Sequence, residues 1–332
     1  MLFLREYLYV DPEKVKGLAS QIFEGIPEST EETHTSSNKK QLGSSRIAYL
    51  ARERGTDLME KKSVTDAVFP ALEEALEAEG FLVDISEQLN DPKQFETGNI
   101  AKKFPPGSLI RLTSNARLID PRFFARVMAG FATAAAGINE IEKDDSPPAP
   151  NRKNKRPNLH SKIVPAVEIV NIEDSIPDIP EGSIVGIEAS DMRAMVKVMR
   201  GIYPEGVSMS VSPSGIDGPI ISVRLQEGRQ YLDAEPETLF GQYGLELQEW
   251  TIVGTIGHHA TDSTNLVDSN DLFKNDGTGL HRGKFVAFIN ETLNTMGLSG
   301  FLQLPQSPGF SLIPLAVYRS IPKIDFESTE PA

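Results

Sequence analysis

The chain contains no cysteine among its 332 residues. This absence excludes disulfide bonds, thiolate nucleophiles, cysteine-ligated zinc and iron–sulfur clusters together. It also fits a reducing compartment, where structural disulfides are rare. We therefore expect a cytoplasmic protein, and nothing in the sequence indicates a cofactor.

Long apolar runs are also missing. The nearest one, 123–138, is interrupted by Arg126 and falls short of the roughly 20 apolar residues that a membrane-spanning helix needs. We interpret it as a helix that is buried or faces a partner, and the alternative is contact with a membrane. Residues 1–10 are too few for a secretory signal and contain Arg5 and Glu6. The sequence therefore predicts neither a signal peptide nor a membrane span.

Positive charge is scarce. Lysine and arginine number 33 against 47 acidic residues, which gives a net charge of −14. Surfaces that bind duplex nucleic acid need clustered Lys and Arg, so the overall charge argues against such a partner. The basic run 152–156 could contact nucleic acid or anionic lipid. We interpret it as solvated linker, because no interleaved aromatic residue could stack on bases.

A recurring unit dominates what the sequence does contain. An apolar run ends at an aspartate, and an amphipathic helical pattern follows, at Asp11, Asp120, Asp191 and more loosely Asp233. An aspartate at this position accepts a hydrogen bond from an unpaired first-turn amide and suits the helix dipole. We predict that these aspartates cap helices. The alternative is that they converge as metal ligands or acids.

The chain divides into two predicted parts. Residues 1–142 are predicted to form an α+β domain with a polar, mobile loop at 26–45. A proline-rich and basic linker follows at 143–162. Residues 163–324 form the second predicted domain, and 325–332 an acidic tail.

The second part has the more regular order of elements. From residue 183 the pattern is β-α-β-β-α-β, which is typical of a ferredoxin-like α+β sandwich. A further helix and a strand are appended. The predicted elements are strand 183–189, helix 191–201, strands 207–212 and 219–225, helix 235–243, strand 249–258, helix 283–296 and strand 310–318.

A glycine-rich loop before the appended helix is the best candidate for a ligand site. Exposed amides at a helix start bind anions, and the neighbouring basic side chains would add charge. The loop has neither the dinucleotide fingerprint nor the Walker pattern, so a surface loop without a ligand is the alternative. The candidate residues are Gly277, Gly279, His281, Arg282, Gly283 and Lys284.

Catalytic signatures are absent from the sequence. It contains no Gly-x-Ser-x-Gly elbow, and no pair of carboxylates stands out as an acid and a base. His258 and His259 are neighbours in a predicted strand, so their side chains should point to opposite faces. A His/Asp metal site between His258 and His281 would use suitable ligand types but has no recognised spacing. We therefore predict no catalytic residues and no metal ligands.

The two ends of the chain resemble a bacterial protein family of unknown function. The resemblance lies in Arg5-Glu6-Tyr7-Leu8-Tyr9-Val10-Asp11 near the start. It continues in Trp250-Thr251-Ile252-Val253-Gly254-Thr255-Ile256 and Pro314-Leu315-Ala316-Val317-Tyr318-Arg319. The resemblance implies a bacterial cytoplasmic origin and supplies no activity.

These observations favour a non-catalytic binding or regulatory protein of the bacterial cytoplasm. We expect it to act through a protein partner or a small anionic ligand, and it could be an oligomer. The alternative is a metal-assisted hydrolase or phosphoesterase that uses the 258–281 loop.

Overall fold

A computed structural model describes residues 4–23, 57–144, 171–178, 187–215, 218–225, 232–260, 272, 279–302 and 304–322. The strands are β1 (Leu4–Val10), β2 (Leu82–Asp84), β3 (Leu109–Ile119), β4 (Val207–Val211), β5 (Ile221–Leu225), β6 (Gln248–His259) and β7 (Phe310–Ile321). The helices are α1 (Pro12–Ile22), α2 (Asp57–Ala78), α3 (Ser86–Leu89), α4 (Pro92–Glu96), α5 (Asn99–Lys103), α6 (Pro121–Asp144), α7 (Ala189–Ile202), α8 (Pro236–Tyr243) and α9 (Arg282–Leu298), with a 3₁₀ turn at Ile172–Ser175.

Five of these strands close into a barrel. The long strand β3 pairs antiparallel with β6 along its first part and with β4 along its last part. Strand β4 continues antiparallel to β5, β5 runs parallel to β7, and β7 pairs antiparallel with β6. This order, β3-β4-β5-β7-β6-β3, is a Greek-key closure of the kind that OB-folds use. Strand β1 extends the sheet beside β7, and β2 extends it beside β3.

Apolar side chains fill the barrel. In β4, Val207, Met209 and Val211 are buried while Ser208 and Ser210 between them are partly exposed. This alternation is what a strand with one face on the core requires. The helix α8, between β5 and β6, adds buried side chains to the same core. Because the interior is packed with side chains, a ligand would have to bind outside it.

The strand pairing replaces the predicted ferredoxin-like sandwich. The order α7, β4, β5, α8, β6 agrees with the predicted one, and the α+β class is confirmed. However, both edges of β6 are taken by β3 and β7, and both edges of β5 by β4 and β7. The ferredoxin-like core is therefore not confirmed. Most of the strand predicted at 183–189 lies outside the described residues, and Ala189 begins α7.

The chain forms two compact units that differ from the predicted domains. One unit comprises residues 1–119 and 206–332, and the other comprises 120–205. The division differs because β3 comes from the first predicted domain and pairs with β4 and β6 from the second. The predicted mobile loop and acidic tail, and all but the first two residues of the predicted linker, lie outside the described residues.

The unit 120–205 is helical in its described part. One face of α6 consists of alanines that pack on α7 and on the 3₁₀ turn. The buried side chains are Ala125, Ala129, Ala132, Ile176, Met192 and Val196. Arg200 of α7 forms an ion pair with Glu173 of the 3₁₀ turn, with 2.5 Å between Nη2 and Oε1. This contact joins the two elements at their polar edge.

Two of the four predicted aspartate caps are confirmed. The amide of Lys14 donates to Asp11 Oδ1 at 3.0 Å, and the amide of Phe123 donates to Asp120 Oδ1 at 2.9 Å. The other two predictions are wrong. Asp191 lies inside the first turn of α7, and Asp233 comes before Glu235, which is the N-cap position of α8.

A cap substitution should separate these two groups of aspartates. Replacing Asp11 with alanine removes a first-turn hydrogen bond from a buried cap, so we expect the free energy of unfolding to fall by about 1 kcal/mol. Replacing Asp191, which caps no amide, should change it by less than about 0.5 kcal/mol. Urea denaturation of both variants measures the difference, and equal losses would contradict the assignment.

Candidate functional site

The predicted anion loop reaches the start of α9. Gly277 lies outside the described residues, while His281 occupies the N-cap position of the helix. The amide of Lys284 donates to His281 Nδ1 at 3.4 Å, and Arg282 and Lys284 are exposed in the first turn. One of the amides that an anion could use is therefore already engaged by the chain. The anion site stays a prediction.

Two histidines of the alternative His/Asp metal site make contacts within the fold. His259 Nε2 is hydrogen-bonded to the carbonyl of Phe104 at 2.7 Å, and its ring lies 5.4 Å from that of Phe310. His281 caps α9. Among the described residues, no group of three His, Asp or Glu side chains could hold a metal ion. The aspartates between residues 262 and 276 lie outside the described part of the chain.

A buried cluster of charges surrounds Glu73 of α2, which is only 2% exposed. Arg5 of β1 approaches it with 2.6 Å between Nη1 and Oε2, a charge contact without hydrogen-bond alignment. Arg111 of β3 lies 3.2 Å from Oε1, and Tyr318 of β7 donates its hydroxyl to the same oxygen at 2.9 Å. Glu73 thus connects the helix with three strands of the sheet.

The surroundings of Glu73 complete this cluster. Arg111 also donates to Glu77 at 2.9 Å and to Asp84 at 2.8 Å, and the guanidinium carbon of Arg5 lies 4.6 Å from the Tyr318 ring centre. Burial and the neighbouring Glu73 charge raise the pKa of Tyr318, so its hydroxyl stays protonated and donates. Burial would lower the pKa of Arg5, but the charge of Glu73 together with the contributions of Tyr318 and Tyr7 outweighs burial, and the pKa rises. We interpret the cluster as a structural contact that holds α2 on the sheet.

A second cluster joins β1, β7 and α8. Arg319 Nε donates to Glu6 Oε2 at 2.5 Å, and the Tyr243 hydroxyl donates to Glu6 Oε1 at 3.1 Å. The hydrogen bond from Arg319 lowers the pKa of Glu6, and burial together with Glu6 raises the pKa of Tyr243 to about 12. The guanidinium of Arg319 also lies over the Tyr243 ring at 4.9 Å. The cluster fixes α8 against the sheet.

The apolar side chains of α9 form an exposed surface of the barrel unit. They lie within about 100° of the helix circumference, at the spacing of one helical face. We call this surface the α9 stripe, and it consists of Phe285 (38% exposed), Val286 (55%), Ile289 (40%), Leu293 (43%) and Met296 (43%). Contiguous exposed apolar surface on a protein marks an interaction site more often than scattered single residues do.

A family model matches residues 4–318 of the chain, from β1 to Tyr318 of β7. The chain belongs to the DUF6414 family. This family is described as a domain of unknown function, so the predicted membership of such a family is confirmed. No curated protein and no solved structure matches this DUF6414 chain. No helix in its described ranges has the length and hydropathy that a membrane span requires.

The Glu73 cluster of this DUF6414 chain was not predicted from the sequence. One signal was present, since helical spacing places Glu73 on the same face as the apolar residues Phe69, Leu72 and Leu76. A charge on such a face indicates a buried partner of opposite charge. Nothing in the sequence identified Arg5 and Arg111 as those partners, because they are separated from Glu73 by 68 and 38 positions.

Proposed function

We propose that this DUF6414 protein is a non-catalytic binding protein that engages a protein partner through the α9 stripe. The observation that carries the proposal is the exposure of five large apolar side chains along one face of a single helix. An amphipathic partner segment would remove this surface from water, which is the main favourable term in protein association. The bacterial cytoplasm remains the expected location.

The charges at the start of α9 define the partner further. Arg282 and Lys284 are exposed in the first turn, where the helix dipole is also positive. We therefore propose that the partner presents an acidic amphipathic helix, whose apolar face covers the stripe and whose carboxylates lie near this first turn. The carboxylates would take the place of the small anion that the sequence predicted.

The outer barrel face supports a protein partner over nucleic acid. Barrels of this topology bind oligonucleotides on the strands that correspond to β4 and β5. Between their buried residues these strands carry Ser208, Ser210, Ser222 and Arg224. Neither strand contains an aromatic residue on which a base could stack. The engaged histidines 259 and 281 in turn favour binding over metal-assisted hydrolysis.

Photo-crosslinking in the source organism tests the proposal. A photo-reactive side chain at position 289 lies in the stripe, whereas the same group at position 295 lies on the other side of α9 and serves as the control. We expect position 289 to capture one protein other than this chain, at least tenfold more strongly than position 295. With that partner purified, Ile289→Asp should weaken binding by about 30-fold, the size of a hot-spot effect.

Three results would contradict the proposal. Equal capture at both positions would show non-specific contact. Capture of only further copies of this chain would show that the stripe mediates self-association and does not bind a different protein. A captured segment rich in Lys and Arg would contradict the proposed charge of the partner.

A further inference from the structure

The helix α6 has a second apolar face that the described part of its own unit leaves exposed. Its alanine face packs on α7 and the 3₁₀ turn, as described above. The opposite face carries six exposed apolar residues, which we call the α6 seam. The seam consists of Phe124, Val127, Phe131, Ala134, Ile138 and Ile141.

The spacing of the α6 seam is that of a coiled coil. Successive residues are separated by three, four, three, four and three positions. This 3.5-residue period keeps a narrow apolar stripe facing a second helix, whereas packing on a globular core follows a broader 3.6-residue pattern. The seam runs for about 27 Å. Its natural occupant is therefore another helix with the same period.

Two glycines beside the seam indicate close approach of that helix. Gly130 and Gly137 lie one heptad apart in the interior of α6, where glycine is less favourable than alanine. Neither has a positive φ, and a Cβ added to either would meet no atom of the described chain within 4 Å. The described residues of the unit thus give no reason for glycine at these positions. A helix packed along the seam does.

We propose that α6 pairs with α6 of a second copy of this chain, antiparallel about a two-fold axis. In this arrangement each seam residue faces a different seam residue of the second copy. The bulky Phe131 of each copy lies over the small Ala134 of the other. The facing pairs are Phe124 with Ile141, Val127 with Ile138, and Phe131 with Ala134. A parallel arrangement would instead place phenylalanine on phenylalanine and alanine on alanine, which packs layers of unequal size.

The charges at the ends of α6 favour the same direction. Its first turns contain Arg122 and Arg126, and the sequence of its last turns contains three acidic residues, Glu140, Glu142 and Asp144, against the single Lys143. An antiparallel pair brings the basic end of each helix to the acidic end of the other. The interface is then isologous, as in most homodimers. Because α6 is already folded against α7, pairing requires no new helix nucleation.

The oligomeric state of the full chain tests the pairing. We expect light scattering to give the mass of a dimer, and Phe131→Glu to give a monomer with unchanged far-UV circular dichroism. Thr133→Glu adds the same charge at an exposed position of α6 outside the seam and should leave the dimer intact. A monomeric wild-type chain, or a dimer that tolerates Phe131→Glu and also Ile138→Glu, would overturn the proposal.

Substitution of Gly130 tests the role of the glycines in pairing. If the glycine mattered only within its own helix, the substitution would not weaken the dimer. In the monomeric Phe131→Glu background, Gly130→Ala should raise the Tm, because alanine favours the helix. In the wild-type background the same change should weaken the dimer at least tenfold. An unaffected dimer would overturn the role assigned to the glycines.

Introduced cysteines test the direction, since the chain has none of its own. Mixed chains carrying Val127→Cys and Ile138→Cys should form a disulfide-linked dimer under mild oxidation. Val127→Cys alone should not, because the two copies of residue 127 would be about 16 Å apart along the antiparallel pair, well beyond disulfide reach. The reverse result would establish a parallel pair and overturn the proposal. None of these three tests involves α9, so their outcome is independent of the proposed function.

Discussion

Replacing Glu73 with glutamine is expected to lower the free energy of unfolding by about 3–5 kcal/mol. Glu73 is almost fully buried and lies within 3.2 Å of both Arg5 and Arg111. Removing its charge takes away the buried carboxylate that both guanidinium groups contact in a poorly solvated site, and Arg111 retains only the more exposed Glu77 and Asp84. Urea denaturation followed by fluorescence of the single tryptophan measures this loss.

Glu77 provides the matched control. It lies one turn further along α2 and also accepts from Arg111, but its side chain is 51% exposed. An exposed ion pair contributes little, so Glu77→Gln should cost less than about 1 kcal/mol. Comparable losses in the two variants would mean that burial of the charge is not what makes Glu73 important.

Replacing Trp250 with alanine is also expected to lower the free energy of unfolding by about 3–5 kcal/mol. Trp250 is 2% exposed, and its ring packs edge-on against that of Tyr243 with 5.1 Å between their centres. The substitution leaves a large cavity where α8 covers the barrel. Far-UV circular dichroism during urea denaturation measures the effect without relying on the lost fluorophore.

Tyr243→Phe is the control for Trp250→Ala. It keeps the ring that contacts Trp250 but removes the hydroxyl that donates to Glu6. We expect a loss of about 1 kcal/mol, the net value of one hydrogen bond. A loss as large as that of Trp250→Ala would show that the polar contact, and not ring packing, holds α8 in place.

Local features of the fold could be predicted because their causes are local. The caps at Asp11 and Asp120 depend on amides three residues away. Strand β6 was predicted at 249–258 and is observed at Gln248–His259, since its apolar pattern is continuous. The helix predicted at 283–296 is observed as Arg282–Leu298 for the same reason.

The strand neighbours could not be predicted in the same way. Strand β3 ends 88 positions before β4 begins, and no local pattern specifies that they pair or that β5 runs parallel to β7. The exposure of the α9 stripe could not be predicted for a related reason. An apolar helical period predicts a helix, but it does not tell whether the apolar face of α9 packs inside its own unit or lies at the surface. Only the described exposure of Ile289 and its neighbours distinguishes the two.

The barrel closure also determines when this unit can form during synthesis on the ribosome. Strand β1 at the beginning of the chain and strands β5 and β6 all find a neighbour in β7, which is made more than 50 residues after β6 begins. Until β7 has left the exit tunnel, those three strands expose open hydrogen-bonding edges that favour aggregation. The unit 120–205 is continuous in sequence, so its folding does not depend on the synthesis of a strand near the end of the chain. Vectorial translation therefore allows the helical unit to fold first and leaves the barrel for last.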